Sequence, residues 1–305
     1  MALHVLAATA VVVHAADKTC NPPPLYSSSS ADDHECEIVW VRCHEPIPTW
    51  LPDNAKIVEK CGEFIEARSV LSVNNVGDEG FGYLEYIIAR YATLPLCVLL
   101  LHGSHSYLRM LPVSSLLRNL RPPAELAHAA LAVPLSDIFI AGRVLAARDV
   151  GRGLDVFYEH LQAASASEAR AAEDEELLDL LDVPANPAAS SLLPDVRGQP
   201  LHLWCCNTWL LTRKAIRQRP LEYWTAMRTA AQLPVDGYTS TGKRYAHFES
   251  TERNGPGHPE IGVIYEHVFH LMLGYELNAT RDTYERAWRG AFDCESPPAR
   301  FVSTR

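Results

Sequence analysis

Several features are absent from this chain of 305 residues, and each absence closes off a class of protein. No basic run of five or more occurs, and the formal net charge is −10 with a pI near 5.7, which disfavours a broad nucleic-acid surface. No apolar stretch, the short N-terminal one included, is long enough to span a bilayer. The cysteines show no paired C-x-x-C spacing of the kind that holds zinc. Ser104 lies in His-Gly-Ser-His and not in Gly-x-Ser-x-Gly, so a serine-hydrolase elbow lacks its signature. No internal repeat is visible.

What is present reads as an ordinary globular chain, 48% hydrophobic and long enough to bury a real core in one large α/β domain or two smaller ones. One domain is the preferred reading. The N-terminus, MALHVLAATAVVVHAADK, has a short apolar region ending in Val13-His14-Ala15, so residues 1–16 are expected to be a signal peptide. Its n-region carries no Lys or Arg, which keeps an uncleaved apolar extension or a different start as alternatives. Residues 17–36 are rich in Pro and Ser and read as a linker, 37–292 as the α/β domain, and 293–305 as a C-terminal tail. An acidic, Ala-rich and then Pro-rich segment at about 163–200 reads as an insertion. Eight cysteines, an even count, are compatible with one to three disulfides in a secretory chain, although Cys97, inside an apolar run, reads as a small hydrophobe. Asn278-Ala279-Thr280 is a glycosylation sequon and implies an exposed segment. Together these place the chain in the secretory pathway, secreted or in the lumen of the endoplasmic reticulum or Golgi.

The most informative stretch is NNVGDEGFGYLEYIIARYATLPLCVLLLHGSH, residues 74–105. Leu84, Ile87, Ile88 and Tyr91 fall at i, i+3, i+4 and i+7, one face of a helix. Leu94-Pro95 stops it, and the run 96–101 has the length and continuous apolarity of a strand covered on both faces. His102 and His105 sit at the exit of that strand, where open α/β sheets bind their ligands. Elsewhere, EIVWVR at 37–42 reads as a first strand, AKIVEKCG as a second, and Val113, Leu116, Leu117 and Leu120 as a helix stopped by Pro122-Pro123. LHLWCCNTWLL at 201–211 reads as one strand, Thr212 as the cap of a short helix, and LEYWTAMRTAAQ as a further helix. A long polar loop leads to IGVIYEHVFHLMLG, whose Ile261, Ile264, Tyr265, Val268 and Met272 face inward and whose end is marked by Gly274.

Four blocks, in order, resemble the uncharacterised family known as domain of unknown function 3431. They are IVWVRCHEPIPTWL, with Glu45, Trp50 and Leu51; the turn, helix and strand from Asn75 to Gly103; CCNTWLLTRKAIRQRPLEYW; and YEHVFHLMLG, with Glu266, Phe269 and His270. The resemblance covers about residues 37–275. Such proteins look like nucleotide-sugar glycosyltransferases of the A-type fold. It implies a single layered α/β/α domain with a mostly parallel central sheet, a first strand and loop that hold the nucleotide, and a divalent metal at the end of a central strand. That fold usually ends its central strand in Asp-x-Asp, and this chain has no Asp-x-Asp.

The candidate site residues each admit a functional and a plainer reading. A divalent ion on a diphosphate wants oxygen ligands, whereas His102 and His105 offer imidazoles, which suit zinc, tolerate manganese, or serve a phosphate directly. They equally suit hydrogen bonds to loop carbonyls. Glu266 and His270, four apart on one helix face, read as a catalytic base with the histidine that orients it, or as an exposed helical pair. Gly77 and Glu79 stand where a turn enters a helix and attracts anions, although Glu79 also suits the helix dipole. Arg42, at the end of the first strand, is an expected nucleotide contact, and Glu45, in the loop after it, is a nucleotide contact or a solvated charge. Trp50 and Trp209 stack on a base or sugar, or belong to the core.

The leading expectation is an enzyme moving a sugar from a nucleotide-sugar donor to a hydroxyl on a glycan or small-molecule acceptor, with manganese or zinc as the expected metal. One alternative is a secreted glycan-binding protein that keeps the scaffold without turnover. Another is a metal-dependent hydrolase using His102, His105 and His270.

Overall fold

The structure, a computed structural model, describes residues 36–43, 45–60, 67–73, 78–103, 119–135, 138–144, 157–159, 161, 193–204, 207–232, 259–293 and 300–303. The sequon, the helix expected at 113–120 apart from its last two residues, the acidic insertion up to residue 192 and the polar loop before Pro259 thus differ in standing. Asn278 is described and exposed, while the other three lie outside the described residues.

β1 (Cys36–Arg42), β2 (Lys56–Glu59) and β3 (Ser69–Ser72) are parallel neighbours, and α1 (Asp78–Arg90) carries the chain back across the sheet to β4 (Cys97–His102) on the other side of β1. After the short α2 (Pro123–Leu126) come β5 (Ala132–Pro134) and β6 (Ile138–Val144). The chain continues through β7 (Pro200–Trp204), β8 (Trp209–Thr212), α3 (Arg213–Ile216), α4 (Leu221–Gln232), α5 (Pro259–Met272), α6 (Arg281–Ala291) and β9 (Arg300–Ser303). The main sheet has the order β3-β2-β1-β4-β8-β5, and a second sheet the order β7-β6-β9.

The alternation of side chains explains the layers. Val39, Val41, Val58, Val98 and Leu100 point to one face, where they join Leu84 and Ile87 of α1, Trp224 of α4 and Phe269 of α5 in a core. Ile38, Trp40, Ile57, Leu99 and Leu101 point to the other, against Leu126 of α2 and Trp288 of α6. An α/β architecture layered on both faces of the main sheet is therefore present. The sheet is mixed: β1 to β4 run parallel, β5 runs in their direction, and β8 alone is reversed, pairing antiparallel with both β4 and β5. Its reversal follows from the break in 201–211, which is two strands in two sheets. Asn207 adopts φ +42°, a left-handed conformation that Asn tolerates, and from there the chain re-enters the main sheet at the carboxyl end of β4, with Trp209 opposite Leu100.

Other expectations are refined in the same way. The first strand includes Cys36, and Cys97 is not a lone hydrophobe: the two are register partners on β1 and β4 and form a disulfide. Cys43 is also disulfide-bonded. Within the expected C-terminal tail, residues 300–303 pair with β6. Thr212 caps α3 as expected, its hydroxyl accepting from the Ala215 N–H at 3.3 Å. Gly274, at φ +90°, follows α5 in the left-handed conformation that ends helices. No helix among the described residues is long and apolar enough to cross a membrane.

Candidate functional site

The main sheet reverses its strand order between β1 and β4: the chain moves outward from β1 to β3 and then returns to the opposite side of β1. In open α/β sheets ligands bind beyond the carboxyl ends of the strands at such a switch point. Those ends carry buried charge, on both faces of the sheet.

On the face away from α1, Arg42 at the end of β1 shares its guanidinium with Glu59 at the end of β2. Arg42 Nη2 donates to Glu59 Oε1 at 2.8 Å and Nε to Oε2 at 3.0 Å, and the Ser69 hydroxyl of β3 reaches the same Oε1 at 2.8 Å. Arg42 lies over the Trp40 ring, and its Nη1 donates to the Glu45 carbonyl at 3.0 Å. The Glu45 carboxylate turns back onto its own loop and accepts from the Cys43 N–H at 2.5 Å. Arg42 and Glu45 thus shape the loop after β1. Trp50 packs, half-buried, beside Leu51 on this same face.

On the α1 face the arrangement is a carboxylate between two nitrogen donors. Glu79, in the first turn of α1 and 5% exposed, has Lys60 Nζ at 2.6 Å from Oε1 and His102 Nε2 at 3.0 Å from Oε2. Burial by itself would raise the Glu79 carboxyl, but His102 and then Lys60 outweigh it and hold the group well below the ordinary carboxylate range. Backbone packing fixes the triad. A Cβ on Gly103 would stand 2.6 Å from the Val41 carbonyl, so only glycine lets the exit of β4 lie this close to β1. The Trp40 indole N–H donates to the His102 carbonyl at 3.1 Å from the opposite face.

The first turn of α1 is also where α5 and the β7–β8 connection arrive. A Cβ on Gly80 would meet Tyr265 Cβ at 2.7 Å and Asn207 Nδ2 at 3.2 Å. Asn207 is held by its Oδ1, which accepts from the Trp209 indole at 3.0 Å. Gly80 is therefore a close-packing residue in the first turn of α1, and Trp209 is a core residue, 2% exposed.

Of the residues expected from the sequence, Glu79 and His102 are in contact, and Arg42 and Glu45 lie beside them at the end of β1. Glu266 follows Tyr265 on α5, at the level of Gly80, and its side chain lies outside the described residues, as do Gly77 and His105. His270 is placed in the core, 1% exposed, with neither ring nitrogen finding a hydrogen-bond partner among the described residues. Burial, with His267 nearby, pushes its imidazole down to about 3, so it is a neutral interior histidine. The residues that sequence reasoning did not single out are Glu59, Lys60 and Asn207. The available signal was KIVEK itself, a short apolar strand ending in a Glu-Lys pair too close to the core to be plain surface charge.

The expected metal can be tested against this donor set. Both oxygens of Glu79 already face Lys60 and His102, and an ammonium at 2.6 Å repels a divalent cation from the same carboxylate. No group of three or more His, Cys, Asp or Glu among the described residues is arranged to hold a metal ion. Glu79 is thus occupied by Lys60 and His102, and His105, the other expected metal ligand, lies outside the described residues.

Comparison of the chain with family models, with curated proteins and with solved structures finds no match.

Proposed function

We propose that the chain is a glycosyltransferase-like enzyme of the secretory pathway, transferring a sugar from a nucleotide-sugar donor to a hydroxyl acceptor in the crevice between β1 and β4. The observation that carries the reading is the buried Lys60–Glu79–His102 triad at the carboxyl ends of β2 and β4, at the position where α/β sheets bind nucleotides. Buried charges at a strand-end crevice are more often functional than ornamental, since each is expensive to desolvate. The four blocks that resemble domain of unknown function 3431 support it. The disulfide between Cys36 and Cys97 fits an oxidising compartment.

In this reading the acceptor hydroxyl gives its proton to a carboxylate while its oxygen bonds to the anomeric carbon. The bond from that carbon to the diphosphate breaks, and the departing negative charge is met by Lys60 and the histidines at the exit of β4. Glu266 is the proposed base, because α5 meets the first turn of α1 at Tyr265 and Gly80, one residue from Glu266 and one from Glu79. Arg42, Glu45 and Trp50 bound the nucleotide side by shaping the loop after β1.

A non-catalytic glycan-binding protein on the same scaffold is the second reading, favoured by the missing Asp-x-Asp. Calorimetric titration with a panel of nucleotide sugars, alongside glycan-array binding, separates the two. Nucleotide-sugar binding with donor hydrolysis or transfer supports the enzyme; glycan binding with no nucleotide uptake removes it. The hydrolase reading needs His102, His105 and His270 on one ion, whereas His102 Nε2 faces Glu79 and His270 is sealed in the core.

A further inference from the structure

The triad on the α1 face poses a question that the nucleotide reading leaves open: what supplies positive charge for a diphosphate? Among the described residues at the carboxyl ends, cationic and imidazole groups come from Arg42, Lys60 and His102, and carboxylates from Glu59 and Glu79. Arg42 is bound bidentately by Glu59 on the far face of the sheet, away from α1. Lys60 and His102 are held on the near face, one on each oxygen of a single carboxylate.

We infer that this crevice binds the diphosphate of its ligand without a divalent metal, the ammonium of Lys60 taking the metal's place and Glu79 anchoring it beside His102. This rests on the nucleotide-site reading given above. A metal site at a strand end needs carboxylate oxygens with unshared lone pairs directed at one point, which is what Asp-x-Asp supplies and what this sequence lacks. Here the strand-end carboxylate is turned into a support for a cation that the chain itself carries. An ammonium is a compact point charge suited to phosphate oxygens, and its ion pair with Glu79 fixes its position before the ligand arrives. Arg42 and Glu59 keep β1 and β2 in register below it. Lys60 is thus a ligand-binding residue and Glu79 a positioning residue that acts through it.

The test is calorimetric titration of the full chain with inorganic pyrophosphate, uridine diphosphate and guanosine diphosphate as probes, once in EDTA and once in excess Mn²⁺. A parallel electron paramagnetic resonance titration with Mn²⁺ alone needs no variant. The inference predicts that the affinity of the best probe changes by less than about twofold between EDTA and Mn²⁺. It also predicts that Lys60→Met weakens binding at least about tenfold, the loss of one charge-assisted contact, while Lys60→Arg keeps most of it. Glu79→Gln is expected to weaken binding with a smaller effect than Lys60→Met. Uptake that appears only with Mn²⁺, with specific Mn²⁺ binding to the free chain, overturns the inference and leaves the nucleotide site standing. Absence of uptake under both conditions overturns the inference together with the nucleotide reading. Should Lys60→Met fail to fold, the comparison of EDTA with Mn²⁺ on the unaltered chain decides alone.

Discussion

His270 shows how the identity of a residue and its surroundings assign different roles. In sequence it sits four residues after Glu266 and resembles half of an acid–base pair; in the fold it is sealed in the core with its imidazole pushed down to about 3. A histidine whose folded value is depressed is protonated in the unfolded chain first, so the unfolded state binds more protons between its ordinary 6.5 and about 3. Stability from this residue is therefore fully present above pH 6.5 and declines as the pH falls through that window, by up to about 1.4 kcal/mol per pH unit. Denaturant unfolding between pH 7.5 and 4.5 should show His270→Met with the shallower pH dependence, its advantage growing towards acid. Equal slopes for the two proteins would contradict a buried neutral imidazole. Glu79 is the counterpart, a carboxylate whose burial would neutralise it but whose partners keep it charged. Nothing in the spacing of NNVGDEG distinguishes it from a first-turn charge serving the helix dipole, because its partners Lys60 and His102 are 19 and 23 positions away in sequence.

At the scale of elements, α1 is placed by its glycines as much as by its apolar face. Gly82 lies so close to β1 that a Cβ would stand 2.5 Å from Val41 Cγ1, and two glycines in one helix are tolerated because β1 and α5 come this near. Gly82→Ala gains at most about 1 kcal/mol of helix propensity but overpacks the α1–β1 contact by about 1–3 kcal/mol. Its melting temperature is expected to fall by several degrees; an unchanged or raised value would mean that packing does not dictate the glycine. The period of Leu84, Ile87 and Ile88 and the apolar run into His102 made α1 and β4 legible, since local pattern and burial agree there. The strand at 201–211 was not legible as two elements, because its apolar residues serve two different cores and the break rests on the backbone of Asn207. β3, β5, β6 and β9 are short or follow polar segments, and their pairing is dictated by distant strands and not by their own pattern.

For the whole molecule, the disulfide and the buried charge are separated along one axis of the main sheet. The Cys36–Cys97 disulfide ties β1 to β4 at their amino ends, and the apolar layers fill the middle. The charged pairs gather at the carboxyl ends, where α5 and the β7–β8 connection also arrive. The layered class was readable from alternating helical and strand-like periods, whereas the antiparallel insertion of β8 and the second sheet depend on long-range pairing that no local window contains. The central claim is that the carboxyl-end crevice between β1 and β4 is the ligand site. Hydrogen–deuterium exchange with and without uridine or guanosine diphosphate tests it most directly. The account predicts slowed exchange in peptides covering the first turns of α1 and the exit of β4 through Gly103, with α6 unchanged; protection confined to α6 or the second sheet, with those two segments unaffected, would contradict it.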